Sequence, residues 1–223
     1  MTICIIPARL NSKRIKEKNI KILNGKPLLG HVIKILKATK IFSRIIVSTD
    51  SKKIADIAKK YGAEVPFLRS KKLANDFTPI YKVLIDCVKK IKTEENPYHF
   101  CVYPTSIFVK KGNLKKAFSK IKKTKSKAII TIKKYNSPPL RSLKIKKNKI
   151  YYNFPKYEIA RSQDLDDFYY DTGSFYIYET KALLKLKKKQ QFPKKTTYLI
   201  LDKTEIDINT EDEFRLAKKL FKS

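Results

Sequence analysis

The chain has 223 residues, 42% hydrophobic and 11% aromatic, enough apolar material for one compact domain with its own core and too much for a disordered tail. No run approaches the ~18–20 uninterrupted apolar residues of a membrane span, and the opening residues become charged too soon for a secretory signal, so a cytoplasmic protein without membrane contact is expected. The formal net charge is +32, but 45 of the 52 basic residues are Lys scattered through almost every element, which fits a composition-wide bias rather than a specific nucleic-acid partner.

Ile3, Ile5 and Ile6 predict a short buried first strand, and the run IPARLNSKRIKEKN follows it. Six of the thirteen residues from Arg9 to Lys21 are basic, and only Glu17 opposes them. A loop leaving the carboxyl end of a parallel strand is where open α/β sheets bind ligands, so a nucleotide's phosphates are expected there. Solvated lysine-rich surface is the alternative. Arg9, Ser12, Lys18 and Asn19 favour the site, because they bring a fork, a hydroxyl, a point charge and an amide to one connection.

Further along, Leu28, Val32, Ile33 and Leu36 predict a helix from about Pro27, Arg44 to Ser48 a strand, and Ser51 to Ala58 a helix closed by Gly62 in a left-handed cap. A strand over Glu64 to Phe67, a helix from Pro79 and a strand over Phe100 to Tyr103 come next. Lys127 to Lys133 and Thr196 to Leu201 read as strands, and Thr210 with Glu213 forms a capping-box pattern opening a last helix. This βαβα order predicts a single α/β domain over 1–223 with a mostly parallel sheet. Between Tyr135 and Tyr178 lie 11 of the chain's 25 Phe and Tyr residues, as expected of a protruding segment that covers a partner, or alternatively of an ordinary aromatic core. Cys4, Cys87 and Cys101 sit in apolar runs and are expected to be buried free thiols, and His31 and His99 form no ligand cluster.

IPARLNSKRIKEKN, NGKPLLGHVI, IIVSTD, LRSKKLANDFT, VYPTSIF, ARSQDL and IDINTEDE succeed one another in the order of the motifs of the CMP-sialic-acid synthetase family of cytidylyltransferases, which the chain resembles over nearly its whole length. The resemblance implies a three-layer Rossmann-like nucleotide-diphospho-sugar transferase fold, with 135–178 as a dimerisation and sugar-binding extension and therefore a homodimer. It implies transfer of CMP from CTP to the anomeric hydroxyl of a nine-carbon sugar acid, with release of pyrophosphate. Asn75 to Thr78, Arg161 to Leu165 and Tyr170 to Tyr176 look most like the members that act on pseudaminic acid, with N-acetylneuraminate or legionaminate as alternative acceptors.

By the same resemblance, Arg9 and Lys18 neutralise phosphate oxygens, and Ser12, Lys13 and Asn19 complete the cradle. Base recognition falls to the segments Ser48-Thr49-Asp50, Leu73 to Thr78 with Asp76 and Thr78, and Tyr103-Pro104-Thr105-Ser106, although Asp50 and Asp76 could instead cap helices. Ile107 stands where members often place a second proline. The sugar acid is expected over Arg161, Gln163, Tyr170, Asp171 and Thr172. Arg161 would grip the carboxylate with its planar fork, unless Asp164 or Asp166 merely pairs with it at the surface. Asp207 and Asn209 alternate with period two and so share one face. The family holds Mg2+ there with two aspartates; the amide at Asn209 contributes no charge, so metal affinity should fall. An N-cap role for Asn209 and a nucleotide-binding relative with weakened turnover are the alternatives.

Overall fold

The computed structural model describes residues 2–187, 190–202 and 205–221. β1 (Thr2–Pro7) leads through a small ribbon of β2 (Ile22–Leu23) and β3 (Lys26–Pro27) into α1 (Leu28–Lys37), followed by β4 (Phe42–Ser48), α2 (Lys52–Lys60), α3 (Ile80–Lys90), β5 (Tyr98–Val102), α4 (Lys111–Thr124) and β6 (Ala128–Lys134). The hairpin β7 (Leu143–Lys146) and β8 (Lys149–Tyr152) comes next, then β9 (Tyr169–Glu179), α5 (Thr180–Leu184), β10 (Thr196–Ile200) and α6 (Glu211–Leu220). Six strands form one sheet in the order β10-β6-β9-β5-β1-β4. The pairs β1/β4, β1/β5 and β10/β6 are parallel, and β9 runs antiparallel to both its neighbours.

The sheet is apolar on both faces because helices cover both, giving three layers. Along β1, Cys4 and Ile6 join a cluster with α1, α2, α4 and α6, while Ile3 and Ile5 face Tyr81, Leu84 and Cys87 of α3. Strand periodicity alone sorts these neighbours onto opposite faces. Gly30 of α1 makes room for the Tyr61 ring at the end of α2: a Cβ there would lie 2.6 Å from the ring, which would have to shift. The three cysteines are buried and unpaired.

Several elements depart from the sequence reading, among them β7, β8, β9 and α5, where no strand or helix is predicted. No strand forms over 64–67; Glu64 makes an isolated bridge to Ile46, and Leu68 one to Thr49. Pro66 removes a ladder donor in the middle of that stretch. The helix α4 was not anticipated, because its buried face is carried by only Leu114, Ala117 and Ile121 amid seven lysines over 110–123. The aromatic-rich stretch divides in two. β7 and β8 stand off the sheet, with Ile145 75% and Ile150 66% exposed. β9 is a central strand whose Phe175, Tyr176 and Tyr178 are core residues.

Candidate active site

The connection after β1 is held down before it is charged. Ala8 N–H donates to Ser48 O at 2.9 Å, Leu10 N–H to Asp50 Oδ1 at 3.0 Å, and the buried Asn19 amide to Arg9 O at 2.7 Å. Ile15 and Ile20 anchor the loop in the core. With its apolar residues turned inward, the loop leaves Arg9, Lys13, Arg14 and Lys18 to line a cleft of about 680 Å3 beside the carboxyl ends of β1 and β5. The facing walls are the segment from Arg69 to Thr78, the turn Tyr103–Thr105 and Gln191.

At one end of the cleft, Lys18 Nζ donates to Ile208 O at 2.8 Å and to Asn209 Oδ1 at 3.1 Å. Arg14 Nη2 reaches the same Asn209 oxygen at 3.0 Å, and the Asn209 amide nitrogen donates to Asp207 at 2.5 Å. Partial burial lowers the Lys18 pKa from the ordinary lysine value, opposed by the nearby Asp207 charge. Desolvation by the surrounding protein raises the Asp207 pKa, opposed by the hydrogen bond from Asn209 and the Lys18 charge, although the residue as a whole keeps exposed surface. Gly173, at φ +61°, lets the chain pass this carboxylate, since a Cβ would lie 3.3 Å from Asp207 Oδ2.

At the opposite wall, one carboxylate bridges two cations: Asp76 Oδ1 pairs with Arg9 Nη1, and its Oδ2 lies 2.9 Å from Lys13 Nζ. Lys13, then Arg9, holds the Asp76 carboxyl below its usual range. Arg69 lies deeper, 6% exposed, with Nε and Nη2 buried and without a hydrogen-bond partner. Burial lowers its pKa, and the attraction of Asp50 opposes that. A buried guanidinium with two unmatched donors is a costly arrangement, and it is tolerated where a ligand supplies the acceptors.

Arg9, Ser12, Lys13, Lys18, Asn19, Asp76, Thr78, Pro104 and Thr105 are thus brought together on the cleft, with Asp207 and Asn209 at its end. Four expected contacts are not made within one chain. Thr49 is fully buried, and its Oγ1 accepts from Ser51 N–H at 3.2 Å, so it braces the turn instead of meeting a base. Asp50 does not cap α2, which Ser51 does, and it does not line the cleft; its Oδ1 accepts from Leu10 N–H. Arg161 pairs with Asp164 at 2.6 Å on the exposed extension, where the one-turn helix at Ser162–Asp164 puts the two within reach. Gln163 lies on the same exposed segment, away from the cleft.

Asp171 and Thr172 back the site from β9. Asp171 accepts from Tyr176 Oη at 2.8 Å and from Gly173 N–H at 2.9 Å. Thr172 is buried on Thr131 at 2.8 Å and shares a small hollow with Asp207. Asp76 does not cap α3, whose N-cap is Pro79, and Asn209 does not cap α6, whose capping box is made by Thr210 and Glu213. Arg69 and Gln191 were not singled out from the sequence, and Arg14 was read only as one of the six basic residues of the loop. The signal available for the arginines was their rarity, seven in a chain with 45 lysines.

A family model described as cytidylyltransferase matches residues 3–221. A pseudaminic acid cytidylyltransferase of Campylobacter jejuni is 33% identical, over 99% of this chain and 96% of that protein. A CMP-N,N'-diacetyllegionaminic acid synthase of Legionella pneumophila is also 33% identical, over 98% of this chain and 95% of its own length. Among solved structures, a CMP:2-keto-3-deoxy-manno-octonic acid synthetase complexed with CTP superposes with a TM-score of 0.72 over 98% of this chain and 97% of that one, at 12% identity, which speaks to the fold. With the family motifs distributed over the whole length and their cations converging on one cleft, the chain belongs to the cytidylyltransferase family.

Proposed function

We propose that the chain transfers CMP from CTP to the anomeric hydroxyl of a nonulosonic acid, pseudaminic acid first, and releases pyrophosphate. The observation that carries this reading is the anchored cationic loop at the strand ends, with four basic side chains from one connection on one cleft. When the hydroxyl oxygen attacks the α-phosphorus, charge builds on the non-bridging oxygens and on the departing pyrophosphate. Arg9, Lys13, Arg14 and Lys18 are placed to share it. The turn Tyr103–Thr105 and Arg69 form the deeper wall, where a small rotation of the guanidinium offers its unmatched N–H groups to the carbonyl of a cytosine.

Asp207 and Asn209 offer one anionic and one neutral oxygen, a donor set of the hard kind that Mg2+ prefers when substrate phosphates and waters complete its shell. Among the described residues no group of three His, Cys, Asp or Glu side chains could hold a metal by itself, so a Mg2+ here depends on the nucleotide. When bound, the ion would add Lewis-acid stabilisation of the phosphate charge. Lys18 fixes the backbone at Ile208 and the Asn209 side chain, and Gly173 keeps the approach to Asp207 open.

The acceptor assignment rests on the motifs around Asn75–Thr78 and Tyr170–Tyr176, because the two relatives at 33% identity have different named sugars. A homodimer through the extension is part of the proposal. Leu143, Ile145, Ile150, Tyr151 and Ile159 are exposed there, an apolar surface of the kind that pairing buries. Pairing also gives Arg161 and Gln163 a route to an acceptor outside their own chain's cleft. Pyrophosphate release is measured with CTP and pseudaminic, legionaminic and N-acetylneuraminic acids side by side. Turnover with none of them refutes the reading, and light scattering at micromolar concentration that gives only 26.0 kDa refutes the dimer.

A further inference from the structure

We propose that Asp76 is an internal stand-in for the triphosphate, a carboxylate that occupies the cradle's cations until a polyanion displaces it. The inference rests on reading the loop after β1 as the triphosphate cradle, and it adds a specificity device to that reading.

Three observations support it. First, a single carboxylate from the facing wall contacts two side chains of the cradle, one through each oxygen: Oδ1 meets Arg9 and Oδ2 meets Lys13 at 2.9 Å. Two oxygens of one phosphate would meet the same pair in the same way. Second, the turn that presents Asp76 is braced by its own hydrogen bonds, not by the cradle. Asn75 Oδ1 accepts from Phe77 N–H at 2.8 Å, the Asn75 amide donates to Lys72 O at 2.6 Å, and Thr78 Oγ1 reaches Lys72 O at 3.3 Å. The wall therefore keeps its shape when the ion pairs part. Third, the pairs are accessible, with Arg9 and Asp76 side chains 32% and 29% exposed and Lys13 77% exposed. Solvent-screened pairs of this kind are weak and exchange readily.

The charge balance gives the arrangement its purpose. Arg9, Lys13, Arg14 and Lys18 repel one another across the cleft they line, in a chain that carries +32 overall. One negative charge at Asp76 relieves part of that repulsion. An incoming triphosphate carries several charges and replaces the carboxylate on both cations at once. A small monoanion cannot, so Asp76 sets a threshold that favours polyphosphate over the common small anions. Phe77, 89% exposed at the rim with Lys13 Nζ 6.0 Å from its ring centroid, lies where the freed wall would meet the arriving nucleotide.

The test is calorimetric titration of inorganic tripolyphosphate, without metal or nucleoside, into the purified full chain and into Asp76→Asn and Asp76→Ser. Two exposed ion pairs, each costing a competitor about 1.5- to 5-fold, predict that both variants bind tripolyphosphate about 2- to 25-fold more tightly than the wild type. They should also bind orthophosphate measurably at concentrations where the wild type does not. Unchanged or weaker binding by both variants overturns the stand-in and makes Asp76 a positioning residue for Arg9 and Lys13. Failure of the wild type itself to bind tripolyphosphate overturns the cradle reading instead. Binding by the wild type with tightening in either folded variant supports both.

Discussion

Replacing Arg69 by Met should make the ligand-free protein more stable and the nucleotide complex weaker. The Arg69 side chain is 6% exposed, and its Nε and Nη2 are buried without a hydrogen-bond partner in the protein. Each buried donor left unmatched costs about 1–3 kcal/mol, and the attraction to Asp50 together with the packing of the aliphatic stem offsets part of that. Met keeps most of the stem volume and removes the orphan donors, so a net gain of about 1–2 kcal/mol is expected. For a chain of this size that corresponds to a rise of roughly 3–6 °C in Tm. In the complex the same guanidinium would make charged hydrogen bonds worth about 1.5–3 kcal/mol each, so CTP affinity should fall about 100-fold or more. Thermal melts with and without CTP, together with calorimetric Kd values, read both effects. A lower Tm in the absence of nucleotide, or an unchanged Kd for CTP, would refute the argument that the guanidinium is kept for a ligand at the expense of stability.

Asn209→Asp adds an anionic oxygen beside Asp207, within reach of Lys18 and Arg14, and should tighten Mn2+ binding about tenfold in the presence of a non-hydrolysable CTP analogue, read by electron paramagnetic resonance. Equal affinity in the two proteins would remove Asn209 from the metal's surroundings. His99 is buried between Thr93 and Thr180, and burial pushes its pKa down to about 4. The unfolded chain therefore binds the extra proton between about pH 6.5 and 4, so stability falls with acid through that window by about 3 kcal/mol in total. Urea denaturation against pH should show this slope in the wild type and a shallower one in His99→Gln. Thr210→Ala removes one half of the α6 capping box and should cost about 1 kcal/mol, seen as a lower urea midpoint with an unchanged slope.

What could be read in advance was local. Alternation in Ile3, Ile5 and Ile6, the charge run after it and the Thr210–Glu213 pattern each depend on residues a few positions apart, and each appears in the folded protein. Contacts between distant segments could not be read in this way. No local pattern tells that Tyr169–Glu179, which composition assigns to a protruding segment, forms β9, enters between β6 and β5 and runs against them. Asp50 and Asp76 precede helices and look like caps, yet one holds Leu10 N–H forty residues away and the other crosses the cleft to Arg9. Arg161 carries the right group for a carboxylate, but a neighbour three positions along takes its fork. The rarity of arginine was informative in retrospect: three of the seven, Arg9, Arg14 and Arg69, line the cleft, where a fork or a buried charge serves better than a mobile ammonium.

The cleft is closed by contacts that join the two most widely separated parts of the chain. Lys18 reaches Ile208 and Asn209, Lys21 reaches Glu211 at 2.6 Å, and Asn24 reaches Phe221 O at 2.9 Å. A chain leaving the ribosome therefore exposes its positively charged loop long before the residues that complete the reaction centre have been made. The loop and the residues that fix Lys18 are thus made some 190 positions apart, and the wall they share exists only once both have been synthesised.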